Sequence, residues 1–277
     1  MSVEASVEDF ARSFGISIDE MSSEVLNFIK DQDFSFNELS QVNFETTVLK
    51  ILKRIENDNQ VIASKERKGV WQRGWQENLD NYVKSGYDIS HLIPKFIRPG
   101  NPIRWQRRYV IPTDPWFELN YIQVLRQHIF EFYFSDCDSL YEFACGTGHN
   151  LVAASKVLPN VSLIGTDFVQ SSVDIIEHLA SKLSLELSGY LFDMKTPNFD
   201  FDLQANSGVL TFGGLEQLGG DIVPILNYLV EKKPKICVHI EPMIELYDDE
   251  HLPDYLAIKF QSKRGYSSGL IEKVQEF

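Results

Sequence analysis

The run Leu140-Tyr-Glu-Phe-Ala-Cys-Gly-Thr-Gly-His-Asn150, continued by Leu151-Val-Ala-Ala-Ser-Lys-Val-Leu158, constrains the fold more than any other stretch. A short apolar segment that ends in a glycine turn and resumes with helical patterning predicts a strand, a tight loop and a helix. That is the opening unit of a nucleotide-cofactor fold. Gly146 and Gly148 have no Cβ, so the backbone can turn sharply there. A ligand can then approach N–H groups at the positive end of the helix dipole. A lone Gly-x-Gly is weak evidence; a second apolar run, Val161-Ser-Leu-Ile-Gly-Thr-Asp167, strengthens it by ending in an acid where a ribose diol would lie.

A dinucleotide fingerprint needs a small residue at position 151, where this chain has Leu151. Glu142, inside the first strand, would repel a pyrophosphate and attract a cationic amino-acid moiety. Both residues argue against a nicotinamide-dependent oxidoreductase. The segment Glu142-Phe-Ala-Cys-Gly-Thr-Gly148 resembles motif I of the class I S-adenosylmethionine-dependent methyltransferases. Ala144 stands at the first glycine, a departure expected to need a backbone without positive φ there.

The resemblance continues in chain order. Asp167 looks like the acid that holds the ribose hydroxyls, with Phe168 placed against the adenine. Gly189-Tyr-Leu-Phe-Asp193-Met194 resembles the third strand, where Asp193 would accept from the adenine amino group and Met194 would line the pocket. Ser207 to Phe212 resembles the fourth strand, Gly213 to Leu218 the loop facing the methyl group, and Lys235 to Pro242 the fifth strand. The resemblance spans residues 125–262 and implies S-adenosyl-L-methionine as cofactor. The fold class it implies is α/β, a Rossmann-like, doubly wound and mostly parallel sheet. Each acid also has a plain structural reading: Glu142 and Asp193 as strand-end carboxylates satisfied by backbone N–H groups, and Asp167 as the cap of a helix beginning near Ser171.

Methyl transfer is an in-line displacement at a sulfonium carbon, so alignment and removal of a proton are the tasks of the protein. Reacting groups in an open α/β sheet gather beyond the carboxyl ends of the strands. Glu216, His239 and Glu241 are therefore the catalytic candidates. Cys237, His239 and Glu241 alternate along one strand and share a face, but on a straight strand they are too far apart to converge on one ion, so no metal is expected. The structural alternative makes His239 a hydrogen-bonded core residue and Glu241 a capping acid. His149 either borders the cofactor's amino-acid end or lies on the surface.

With 277 residues the chain has room for one large α/β domain and an accessory region. Three cysteines, Cys137, Cys145 and Cys237, at no metal-like spacing read as reduced thiols of a cytoplasmic protein. A formal net charge of −14 disfavours a nucleic-acid substrate, and no segment is apolar enough for a membrane, leaving a small molecule as partner. The charge is uneven: residues 1–60 hold 12 acids and 5 bases, whereas Lys65 to Arg108 holds 10 bases and 4 acids.

Three regions follow. Residues 1–64 read as a helical accessory region, with helices over Val7 to Phe14, Met21 to Lys30 and Phe44 to Ile55. Residues 65–124 read as a basic, aromatic, proline-rich lid or linker, since prolines at 94, 99, 102, 112 and 115 interrupt any continuous helix. Trp75, Arg104 and Trp105 are its substrate-binding candidates, and one or two of Arg98, Arg104, Arg107 and Arg108 would meet a phosphate or carboxylate. The alternative pairs these bases with the acidic N-terminal helices. Residues 125–277 form the cofactor-binding domain.

Only 36 residues follow Glu241, too few for the two further strands usual in the family. They read as a helix from Leu252 to Ser262 and a tail holding at most one short strand or helix. The terminal strand pair is then missing, and the fifth strand is an edge that the N-terminal region or a second copy of the chain would cover; alternatively the chain continues beyond Phe277. The missing strands also motivate a second functional reading, a non-catalytic S-adenosylmethionine-binding subunit or sensor.

Overall fold

The computed structural model describes residues 2–276 apart from 61, 63, 65 and 96. Lys65 and Phe96 of the basic segment and Phe277 of the tail thus lie outside the described residues. In chain order the elements are β1 (Ser2–Glu4), α1 (Val7–Phe14), α2 (Ser23–Asp31), β2 (Ser35–Glu38), α3 (Gln41–Asn57) and α4 (Arg67–Lys84). Then come β3 (Ile103–Trp105), β4 (Arg108–Pro112), α5 (Phe117–Ile129), β5 (Ser139–Phe143), α6 (His149–Val157), β6 (Ser162–Asp167) and α7 (Gln170–Leu183). The chain closes with β7 (Leu187–Leu191), β8 (Ser207–Phe212), α8 (Val223–Lys232), β9 (Ile236–Ile240), α9 (Leu252–Arg264) and α10 (Leu270–Gln275).

Two compact units result, and they interleave in sequence. The first comprises residues 1–59, 95–132 and 247–260; the second comprises 60–94, 133–246 and 261–277. The sequence boundaries at 64 and 124 therefore do not mark the units. Nor is the first region purely helical: β1, β2, β4 and β3 form a four-stranded antiparallel sheet in that order. Of its helices α1 begins where the sequence predicts, whereas α2 begins after the expected Met21 and α3 before the expected Phe44, each at a serine cap. Ser6 and Asp9 form a reciprocal capping box at α1, and Ser22 and Ser40 cap α2 and α3. Phe10, Phe34, Trp105 and Phe117 make an aromatic core with edge-to-face contacts.

The residues expected to form a lid are ordered elements. No proline lies between residues 67 and 84, so Trp71 and Trp75 sit on α4 of the second unit rather than in a loop. β3 and β4 form a hairpin whose turn residues, Gln106 and Arg107, both have positive φ, 44° and 68°. That is a tight-turn conformation usually given to Asn-Gly, which explains why the sequence did not announce it.

The second unit carries a five-stranded sheet, parallel throughout, in the order β7-β6-β5-β8-β9. This is the Rossmann-like, doubly wound arrangement, with the order reversing at β5. On one face, Ile176 of α7 and Leu151 of α6 come so close that a Cβ on Gly165 would stand 3.1 Å and 2.9 Å from them. On the other, Ile225 and Tyr228 of α8 pack with Phe143 and Val209. Among the described residues β9 is an edge strand and the tail contributes only α10, whose Leu270 joins that second core. No helix among the described residues is long and apolar enough to cross a membrane.

Candidate functional site

Every acid singled out in the second unit lies at, or just past, the carboxyl end of a parallel strand or in the loop that follows one. The turn after β5 is left-handed at three alternate positions: φ is 56° at Ala144, 56° at Gly146 and 69° at Gly148. Ala144 thus adopts the conformation of the glycine it replaces, contrary to expectation, at a cost of about 1–2 kcal/mol for a residue with a Cβ. Gly148 is required for a second reason: a Cβ there would stand 2.5 Å from Ile176.

Asp167 closes this turn from the neighbouring strand. Its buried carboxylate accepts the N–H of Gly146 at 3.0 Å and that of Val169 at 3.3 Å. Burial raises its pKa to about 6, against the lowering effect of those bonds. The Gly146 N–H is therefore used inside the protein. Glu142 is buried too and accepts from Asn150 at 2.7 Å. Phe168 is half-buried beside Asp167. Asp193 lies two residues beyond β7 and accepts the N–H of Lys195 at 2.9 Å, while Met194 is a buried member of the core with Phe143 and Phe192.

α4 covers the turn. The Trp75 ring lies where a Cβ on Gly146 would stand 3.0 Å from it, and Trp71 follows at 5.0 Å between ring centroids. Ser171, in the first turn of α7, holds α4 by donating its hydroxyl to the Gln72 carbonyl at 2.9 Å, and the Thr147 hydroxyl donates to the Leu92 carbonyl at 2.7 Å. Trp75 thus faces the glycine turn. The other two substrate-binding candidates do not present themselves to a ligand in this structure. Trp105 is buried in the first unit's core, and Arg104 reaches Asp254 at 3.5 Å with its guanidinium over Tyr247 at 4.5 Å. Arg107 pairs with Asp254 and Asp248, and Arg108 with Glu38. Arg104, Arg107 and Arg108 thus pair with acids, but none of these acids lies on an N-terminal helix: Glu38 is on β2, and Asp248 and Asp254 come from the C-terminal part of the chain.

The three catalytic candidates differ in their surroundings. Glu241 accepts three backbone N–H groups, from Gly214, Leu215 and Glu216, each at 3.0 Å, and so organises the 3₁₀ turn Leu215–Leu218. Burial raises its pKa against those bonds. His239 Nδ1 lies 2.9 Å from the Thr211 hydroxyl, and burial lowers its pKa to about 4. At Glu216 burial and then the nearby Glu241 push the pKa up to about 8. Gln217 donates to its Oε1 at 2.6 Å. Sequence reasoning missed the groups that complete this cluster. Tyr266 bonds to Arg264 and Gln217 through its side chain, and Arg67, at the first turn of α4, lies near Arg264. The spacing Arg67, Trp71, Trp75 on one helical face was the available signal.

No family model matches the chain, and no curated protein matches it. Among solved structures, the plantazolicin methyltransferase BpumL in complex with a monoazolic desmethylPZN analogue and SAH is 14% identical, with 82% of this chain and 76% of that one covered and a TM-score of 0.40. The tRNA (uracil-54, C5)-methyltransferase of Pyrococcus abyssi with S-adenosyl-L-homocysteine is 11% identical, over 50% of this chain and 31% of that one, at a TM-score of 0.36. Geranyl diphosphate C-methyltransferase from Streptomyces coelicolor A3(2) is 15% identical, over 53% and 57%, at 0.34. The chain thus spans less than two thirds of the length of the last two proteins.

Proposed function

We propose that the protein is an S-adenosylmethionine-dependent methyltransferase acting on oxygen or nitrogen of a small molecule. The observation that carries this reading is the Asp167 carboxylate, buried at the end of β6 and bonded to the left-handed turn after β5. Around it the donor set suits a cationic amino-acid nucleoside: Glu142 and Asp193 supply further carboxylates at adjacent strand ends, and the turn gives close backbone approach. Glu142 would hold the amino-acid end, Asp167 the ribose, and Asp193 with Phe168 the base. When bound, S-adenosylmethionine supplies an electrophilic methyl group on a positively charged sulfur.

The chain's own groups supply position and proton transfer. Glu241 fixes the turn that carries Glu216, a positioning role. With Oε1 engaged by Gln217, Glu216 Oε2 is the atom that takes the proton from an acceptor hydroxyl or ammonium. A placed base contributes roughly 10²–10⁴-fold, and alignment of the reactants up to roughly 7–11 kcal/mol. Trp75 and α4 form the wall that keeps water from the turn.

The Trp75 ring against Gly146 favours one second reading, a cofactor-fold subunit whose pocket is closed and does not turn over. Calorimetric titration of S-adenosylmethionine into the wild type and Asp167→Ala, with a nicotinamide dinucleotide as control, tests both. Saturable binding that the substitution abolishes supports the proposal. Absence of binding by folded wild-type protein overturns it, and binding without turnover on any acceptor favours the subunit.

A further inference from the structure

We propose that α3 docks against α3 of a second copy of this chain, antiparallel and with Leu49 on the two-fold axis. α3 is a 17-residue helix in which no residue is buried. Its inner side is nonetheless in use. Phe44 tilts against Tyr109 of β4 at 6.3 Å between ring centroids, and the Arg54 guanidinium lies 5.7 Å over the Phe260 ring of α9. Half-buried Ile51 and Ile55 fall on that side too. The opposite side of a helix that covers a core with one stripe is ordinarily polar. Here it carries Val42, Leu49 and Leu52, which recur at spacings of seven and three residues and are 70%, 51% and 40% exposed.

Isolated apolar side chains on a surface need no explanation, but a seam at heptad spacing is the geometry with which helices pair. The charges along the seam say which helix fits. Glu45 and Lys53 stand four residues before and after Leu49 and share its face. In an antiparallel pair centred on Leu49, Glu45 meets Lys53 of the partner subunit, and the symmetry repeats the pair on the other side. A parallel pair would set Glu45 against Glu45 of the partner subunit, and Lys53 likewise against its own copy. Among the described residues Glu45 is bonded to the neutral Gln41 amide at 2.8 Å and Lys53 forms no ion pair, so both charges are available across the seam.

The helix ends agree with this register. α3 has no acid in its first turn, where the positive end of the helix dipole favours one. Antiparallel pairing brings Glu56, seven residues after Leu49, to Val42 of the partner subunit, seven residues before it, and so supplies that acid. The interface is small. A helix of this length extends about 26 Å, and one such pair buries less than the roughly 1,200–2,000 Å² of a stable complex. The expected Kd is therefore weak, about 1–100 μM. This face is separate from the β9 edge, and the association does not depend on the methyl-transfer reading.

Sedimentation equilibrium of the full chain, loaded at about 5–500 μM, tests the proposal. Expected is a monomer–dimer equilibrium in the range given. Leu49→Glu should raise the dimer Kd roughly tenfold or more, because it sets two carboxylates against each other on the axis. Glu45→Lys and Lys53→Glu, each at an exposed position, should each raise it roughly tenfold, since either change opposes like charges twice in the dimer. Combining the two charge changes should return the Kd to within about threefold of the wild type, with circular dichroism unchanged throughout. Where Leu49→Glu alters the circular dichroism, the charge variants decide. A chain that stays monomeric at the highest loading overturns the proposal. A dimer that neither Leu49→Glu nor the single charge changes weaken overturns it too, and moves the contact to another surface such as the β9 edge. A double variant no tighter than the single ones overturns the antiparallel register.

Discussion

The backbone N–H of Glu216 donates to Oε2 of Glu241 at 3.0 Å, so the candidate base hangs from its acidic neighbour, whose charge in turn opposes its ionisation. A group that acts as a base must be deprotonated. With the Glu216 pKa pushed up to about 8, kcat/KM for methyl transfer is expected to rise with pH and level off above that value. Glu216→Gln should remove this limb and lower the rate roughly 10²–10⁴-fold. A limb near pH 4, surviving in the variant, would assign the role to His239 instead.

The same shifts predict a pH dependence of stability. Asp167 moves from 3.8 to about 6 and Glu216 from 4.5 to about 8, so both bind their protons more tightly in the folded chain. Their contribution is complete below the lower values and is lost as pH rises through the higher ones. His239, whose pKa burial lowers from 6.5 to about 4, acts in the opposite sense below pH 6.5, so the Tm should fall mainly between about pH 6.5 and 8. For Glu216 the shift corresponds to at most roughly 5 kcal/mol. Glu216→Gln should flatten the upper part of the curve, measured by thermal unfolding; an unchanged slope would refute the assignment.

Glu241 is expected to matter more for the fold than its neighbour. Glu241→Ala strands the N–H groups of Gly214, Leu215 and Glu216, two of them on buried residues, at a cost of about 2–4 kcal/mol. Glu241→Gln keeps an amide oxygen that can serve Gly214 and Leu215, which share Oε1, and should lose less than half as much. Denaturant unfolding of the two variants checks the ordering.

Strands β5, β6 and β8 and the acids Glu142 and Asp167 were legible because each signal is local: an apolar run closed by a glycine turn or a carboxylate. The groups that complete the site were not. Arg264 and Tyr266 reach Glu216 from about 50 residues away, and nothing in their own surroundings marks them. α4 was hidden by prolines that begin only at Pro94, after the helix has ended. Ala144 was misjudged because its side chain gives no sign of the left-handed backbone imposed by the turn around it.

Gly208 shows a constraint of the opposite kind, invisible without tertiary packing. A Cβ at this position on β8 would stand 2.6 Å from Cε1 of Phe134, a fully buried ring, and 3.2 Å from the sulfur of Cys137. Gly208→Ala must push the ring off the sheet and should cost about 1–3 kcal/mol, against near neutrality for an unconstrained strand glycine. Phe134→Leu in the same background should recover part of the loss, which a double-mutant cycle measures.

The arginines of the β3–β4 hairpin are expected to serve the fold and not a ligand. Asp254 is buried at the start of α9 and accepts from Arg107 Nε at 2.9 Å, from Arg104 at 3.5 Å and from the Asp248 N–H at 3.3 Å. Asp254→Ala removes the shared acceptor and should destabilise the protein by about 1–3 kcal/mol. Arg107→Ala should cost less, because Arg107 lies largely in solvent and Arg104 still faces the carboxylate. If these residues are structural, both variants lower the unfolding midpoint and leave the affinity for S-adenosylmethionine unchanged. An Arg107→Ala protein with an unaltered midpoint and a weakened affinity for S-adenosylmethionine would instead give the hairpin a part in ligand binding, because the loss would then come without any loss of fold stability.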